Sequence, residues 1–124
     1  NLVLCNRQGT RFYLLMLPGG KNFHTRDVSR QLGVSRLSFA GEEHLPELMD
    51  LYPGSVSILG LMNDRQGRVK LIVDRELLQA EYIGCHPCVN TASIRLSMRD
   101  FLETYLPAAH HSPTFVQIPP KAEE

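Results

Sequence analysis

Short apolar runs, broken by clusters of Gly, Pro, Asn and Asp, set the rhythm of this chain. Leu2–Cys5 and residues 12–17 are apolar and of strand length, and Asn6-Arg7-Gln8-Gly9 between them has the composition of a hairpin loop. Pro18-Gly19-Gly20 ends the second run. Thr25 is placed to cap a helix with Val28 and Leu32 on one face and Gly33 as its stop. Residues 36–40 alternate as a short strand does. Residues 41–50 predict a helix with Leu45, Leu48 and Met49 inward, where Pro46 is tolerated only in the first turn.

Pro53-Gly54 breaks the chain before residues 55–59, which read as a strand or loop-strand. A turn at Asn63-Asp64-Arg65-Gln66-Gly67 feeds the strongly β-prone residues 69–73, and residues 76–79 suit one helical turn. Residues 81–83 lead into a dense polar motif, after which residues 91–96 are β-branched and alternating. Ser97 caps a last helix carrying Phe101, Leu102, Tyr105 and Leu106. Residues 114–118 predict a closing strand and residues 119–124 a flexible tail. The pattern is α+β: short strands, mostly antiparallel by loop length, with roughly three helices around them. Residues 1–118 are expected to form a single domain.

Composition narrows the class without naming a function. The 124 residues suffice for one core and are too few for two. No apolar run approaches the ~20 residues that span a bilayer, so no membrane role is expected. Three cysteines, Cys5, Cys85 and Cys88, do not make a disulfide framework, and a reducing cytoplasm is the simpler setting. Net charge is zero, which argues against tight, non-specific nucleic-acid binding. Charge is nonetheless unevenly spread. Lys21, Arg26, Arg30 and Arg36 outnumber Asp27 in one stretch, and Glu42, Glu43, Glu47 and Asp50 make the next acidic. Arg26 and Arg30, four apart, share a helical face that either touches RNA or is simply solvated.

The motif Gly84-Cys85-His86-Pro87-Cys88-Val89-Asn90-Thr91 concentrates the candidate chemistry. Its Cys-x-x-Cys spacing is that of a thiol oxidoreductase, but such a dithiol wants a helix N-terminus, and residues 89–94 are strand material. Zinc needs four ligands, and only one pair stands together, with His24, His44 and His110-His111 scattered. No metal or other cofactor is expected. His86, beside Asn90, remains either a substrate-handling imidazole or a structural one. Gly54-Ser55-Val56-Ser57 is a second candidate, because small residues after a glycine let consecutive N–H groups point at a carbonyl or oxyanion. An ordinary turn would read the same way.

Together these stretches resemble the prolyl-tRNA editing family, which includes the YbaK proteins and the editing insertion of bacterial prolyl-tRNA synthetase. The resemblance is closest to the freestanding ProXp-ala branch, also called PrdX. It is carried by Asn1-Leu2-Val3-Leu4, Leu32-Gly33-Val34 with Arg36-Leu37-Ser38-Phe39-Ala40, Pro53-Gly54-Ser55-Val56-Ser57, and Gly84-Cys85-His86-Pro87 with Asn90-Thr91. The resemblance implies a mixed, barrel-like sheet wrapped by helices. It implies hydrolysis of Ala-tRNA of the proline type, in trans to the synthetase, with aminoacyl-tRNA and possible contact with prolyl-tRNA synthetase as partners. Gly54, Ser55, Val56 and Ser57 then correspond to the loop whose backbone amides hold the aminoacyl carbonyl, with Ile58 where a proline usually stands. His86 corresponds to the pocket histidine, with Asn90 at the matching distance; Asn1, Ile58 and Asn90 are then expected to contact the substrate, and Arg26 and Arg30, from their shared helical face, the tRNA. Cys85 and Cys88 become small buried fillers. The family's catalytic lysine would directly precede Asn1, and the abrupt strand-like opening leads to the expectation of a segment upstream. The rival from another class is a catalytically silent module of this fold, regulating proline metabolism or docking on a synthetase.

Overall fold

The computed structural model describes residues 2–18, 24–40, 49, 58–85 and 94–118. Strand β1 (Leu2–Cys5) and strand β2 (Phe12–Met16) form the expected hairpin, in the register Leu2 with Leu15 through Cys5 with Phe12. Asn6 organises the turn: its Oδ1 accepts from the N–H groups of Thr10 and Arg11, at 2.9 and 3.1 Å. Strand β3 (Ser38–Phe39) adds antiparallel to β1, and strand β4 (Val69–Asp74) adds parallel to β2. Strand β7 (Pro113–Val116) lies parallel on the far side of β4, giving the order β3-β1-β2-β4-β7. Strands β5 (Tyr82–Cys85) and β6 (Ile94–Ser97) pair antiparallel in a separate two-stranded sheet.

Three of the five pairings among the described residues are antiparallel and two are parallel. The parallel pairs follow from long crossovers, since β2 reaches β4, and β4 reaches β7, only after intervening helical segments. The barrel-like closure expected above is corrected here. Among the described residues the five-stranded sheet is open, ending at β3 and β7.

Every residue of β2 is buried, as suits a central strand covered on both faces. Leu14, Met16, Leu71 and Val73 face one core with Met49, Ile58, Leu61, Phe101 and Leu106. Tyr13, Leu15 and Ile72 face the other, with Leu4, Val28, Leu37, Val116 and Ile118. Helix α1 (Thr25–Leu32) covers this second face. Its cap is His24 rather than the expected Thr25, which is already helical, and Gly33 ends it in the left-handed region at φ 68°. Ser29, buried in α1, donates to the Thr25 carbonyl at 2.7 Å and accepts from Leu37 N–H at 3.0 Å, tying the helix to the chain entering β3.

The expectation of extended chain at Ile58 and Leu59 is also corrected: Ile58–Asn63 is a 3-10 helix. Its partners lie far away in sequence. Tyr105 Oη donates to the Ile58 carbonyl at 2.7 Å, and Asn63 Nδ2 to the Met49 carbonyl at 3.2 Å. Met49 is helical and fully buried, facing inward as the pattern required; the rest of the helix expected at 41–50 lies outside the described residues. A second 3-10 helix, Arg75–Gln79, starts where the Asp74 carboxylate accepts from Glu76 N–H.

The last helical stretch runs through α2 (Met98–Asp100), a π-helical segment (Phe101–Tyr105) and α3 (Leu106–Ala108). Ser97 Oγ caps it, accepting from Asp100 N–H at 3.0 Å. Leu106 N–H donates to the Phe101 carbonyl, five residues back, immediately before Pro107. A proline cannot donate to the carbonyl four residues earlier and its ring crowds that carbonyl, so a widened turn relieves the clash.

Candidate functional site

The first two residues of the dense polar motif, Gly84 and Cys85, belong to β5 of the β5–β6 hairpin. Cys85 closes β5 with its backbone paired to Ile94, and residues 86–93 connect the two strands. Beside the end of β5, at its seam with the end of β2, lies a cavity of about 260 Å³. Among the described residues it is lined by Met16, Leu17 and Pro18, by Leu77, and by Tyr82, Ile83 and Gly84. The side chains that line it are apolar apart from Tyr82, but polar atoms make up about half of its surface. Tyr82 is 44% exposed, and the Arg95 guanidinium stacks over its ring 4.3 Å from the centroid.

Of the residues singled out in the sequence, Asn1, Gly54, Ser55, Val56, Ser57, His86 and Asn90 lie outside the described residues, as does Cys88. Ile58 is described and fully buried in the core. With its carbonyl held by Tyr105, it anchors the chain immediately after Ser57. A proline would stiffen this point through its ring; here burial and a side-chain hydrogen bond supply the restraint.

Arg26 and Arg30 project from α1 into one groove of about 700 Å³, shared with His24, Ser29, Val34 and Arg36. The helical spacing therefore did place both arginines on one face. Arg30 is ion-paired to Asp27 at 3.3 Å, with its own side chain 76% exposed.

One buried polar pair was not singled out from the sequence. Asp64 and His111 meet at 3.0 Å with side chains 1% and 6% exposed. The Asp64 carboxylate also accepts from Arg68 and Val69 N–H, both at 2.9 Å, and His111 Nδ1 faces the Ala109 carbonyl at 2.8 Å. Both ring nitrogens thus have an oxygen partner. The pair closes the turn before β4 against the entry to β7, so its role is architectural. Adjacent turn residues and a distant histidine give no local signal of such a partnership. No group of three His, Cys, Asp or Glu among the described residues could hold a metal ion.

Residues 1–104 match the sequence profile of a family described as "Aminoacyl-tRNA editing domain". The chain is 30% identical over 100 residues to "Prolyl-tRNA editing protein ProX" of Acetoanaerobium sticklandii, covering 81% of this chain and 61% of that protein. It is 30% identical over 118 residues to "Prolyl-tRNA synthetase associated domain-containing protein 1" of Danio rerio, covering 94% of this chain and 63% of that one. It therefore spans somewhat under two-thirds of these relatives' length. Among solved structures, a candidate trans-editing enzyme for prolyl tRNA synthetase superposes with a TM-score of 0.68 at 18% identity, over 95% of this chain and 68% of that one. A hypothetical protein superposes with a TM-score of 0.67 at 20% identity, over 90% and 68% respectively. These two likenesses establish the fold. Taken with the profile match, they show that the chain belongs to the aminoacyl-tRNA editing domain family.

Proposed function

We propose that this domain is a trans-acting deacylase that removes alanine from mischarged tRNA of the proline type, as in the ProXp-ala branch. The observation that carries the reading is the family match across residues 1–104, which includes both the Gly54–Ser57 stretch and His86. In this reading, water adds to the carbonyl carbon of the aminoacyl ester. The bond from that carbon to the terminal ribose oxygen breaks, and that oxygen takes a proton. Free amino acid and tRNA with a free terminal hydroxyl leave. The backbone amides of Gly54, Ser55, Val56 and Ser57 hold the carbonyl oxygen as charge builds on it. His86 and Asn90 orient the substrate, Asn1 and Ile58 border it, and Arg26 and Arg30 meet the RNA. No cofactor is called for.

The cavity beside β5 supports an aminoacyl pocket at this position. At about 260 Å³ it is a small site with room for an aminoacyl group. A pocket cannot reject a smaller cargo strongly, since one methylene is worth only ~1–3 kcal/mol. It can reject a larger one by overlap. A synthetase that admits alanine in place of proline therefore needs a second site of this kind.

The test is deacylation of Ala-tRNA and Pro-tRNA by the wild-type protein and by Gly84→Val. Among the described residues a Cβ at Gly84 would meet only the Ile94 carbonyl oxygen, at 4.0 Å, an ordinary contact. Loss of alanine with proline spared, slowed about tenfold or more in the variant, is the expected result. A folded wild-type protein that leaves both esters intact sinks the reading. In that event the second reading takes over, a silent module that docks on the synthetase. The name of the Danio rerio relative, a synthetase-associated domain protein, favours it.

A further inference from the structure

The zero net charge conceals a strongly divided molecule. Residues 1–40 hold six Lys or Arg against one Asp, so the remainder is acidic by the same margin. The fold gathers several of these cations from segments far apart in sequence. Arg7 sits in the β1–β2 turn, Arg36 in the segment leading to β3, and Arg26 in the first turn of α1. The pairing of Cys5 with Ser38 brings the first two together. Arg7, Gln8, Ser35, Arg36 and Ser38 line a groove of about 710 Å³. Arg36 also lines the groove of Arg26 and Arg30, so the two grooves adjoin at that residue.

The charges in this double groove are available. Arg7, Arg26 and Arg36 are exposed and form no ion pair or side-chain hydrogen bond among the described residues. The single acid of the region, Asp27, is 17% exposed and is taken by Arg30. Like charges left together without counter-charges repel one another, and a multivalent anion is the partner that relieves this. Arginines drawn from three separate segments onto adjoining grooves suit a row of phosphates better than one isolated anion.

We infer that Arg7, Arg36 and Arg26 form a track for the sugar–phosphate backbone of the RNA that carries the ester. Arg7 and Arg36 thereby extend the contact beyond the α1 face. The inference rests on the deacylase reading for the identity of the RNA. Contacts of this kind position a substrate and carry no sequence information of their own.

The test compares wild type, the triple variant Arg7→Gln/Arg26→Gln/Arg36→Gln, and Arg99→Gln as a charge control. Arg99 lies in α2, on the other side of the sheet from α1, paired with Glu103. Binding of uncharged tRNA is measured across a salt series, with circular dichroism to confirm folding. Each phosphate contact contributes about 0.7–0.9 to the slope of log affinity against log salt. The triple variant is expected to lose about 2 from that slope and about tenfold or more in affinity at low salt. In deacylation the loss should fall on KM rather than kcat. An unchanged slope and affinity in the folded triple variant overturns the track. If that variant instead loses binding to prolyl-tRNA synthetase, the track is equally overturned, because the groove is then a protein-docking surface. A loss shared by Arg99→Gln reduces the effect to net charge and overturns it as well. Failure of the deacylase reading shows separately, as wild type that binds RNA without cleaving the ester.

Discussion

Asp64 shows how much one side chain can hold. Its carboxylate satisfies two backbone N–H groups at the start of β4 and meets His111, while its own backbone completes the turn to Gly67. Removing one partner strands the other in a dry site, whereas the intact pair has only its desolvation to offset. Asp64→Ala is therefore expected to lower unfolding free energy by about 3 kcal/mol or more. His111→Ala should cost less, because the carboxylate keeps its two amide donors. Urea denaturation with the double variant gives the coupling, and fully additive losses would show that the contact contributes nothing as a pair.

At the scale of elements, two left-handed residues give opposite expectations. Gly33 closes α1 at φ 68°, and a Cβ there would meet nothing within 4 Å, so Gly33→Ala should destabilise by about 1 kcal/mol through backbone strain alone. His110 follows α3 at φ 58°, where glycine would rest without strain. His110→Gly should be stabilising by roughly 0.5–1 kcal/mol, and thermal unfolding of both variants checks the pair of signs. The strands with strong β-branched or apolar runs, β1, β2 and β4, were legible in the sequence, as were the Ser97 cap and the stop at Gly33. What escaped was decided by distant partners. Ile58 and Leu59 look extended locally, but Tyr105 and Met49 draw their segment into a 3-10 helix. The parallel pairing of β2 with β4 depends on crossovers that loop composition does not reveal. In the proposed RNA track, helical spacing revealed Arg26 with Arg30, whereas Arg7 and Arg36 join them only through the pairing of β1 with β3.

Across the whole molecule, stability should be graded. β2 is buried throughout and hydrogen-bonded on both sides, while β5 and β6 pair only with each other among the described residues. The hairpin is fastened chiefly by Ile83, Leu96 and Met98 against the core and by Met98 N–H on the Glu81 carbonyl at 2.8 Å. Amide hydrogens of β5 and β6 are expected to exchange faster than those of β2 and β4, as a unit that opens without global unfolding. Equal protection in both sheets would show instead that the hairpin and the main sheet are one cooperative body. On the proposed function, this less stable unit carries the strand that leads toward the proposed substrate site.

The reach of α1 to the far rim of the sheet has a further consequence. An open sheet leaves main-chain groups on its outer strands able to recruit a strand from another molecule, the first step toward clumping. Beyond β7, Gln31 donates to the Gln117 carbonyl and accepts from the Gln117 N–H, both at 2.7 Å. The amide side chain thus imitates a neighbouring strand at the point where the chain leaves the sheet. At the opposite rim β3 is only two residues long, too short to offer a foreign strand much purchase. Both features shorten the stretch of main chain with which a second copy of this domain could pair.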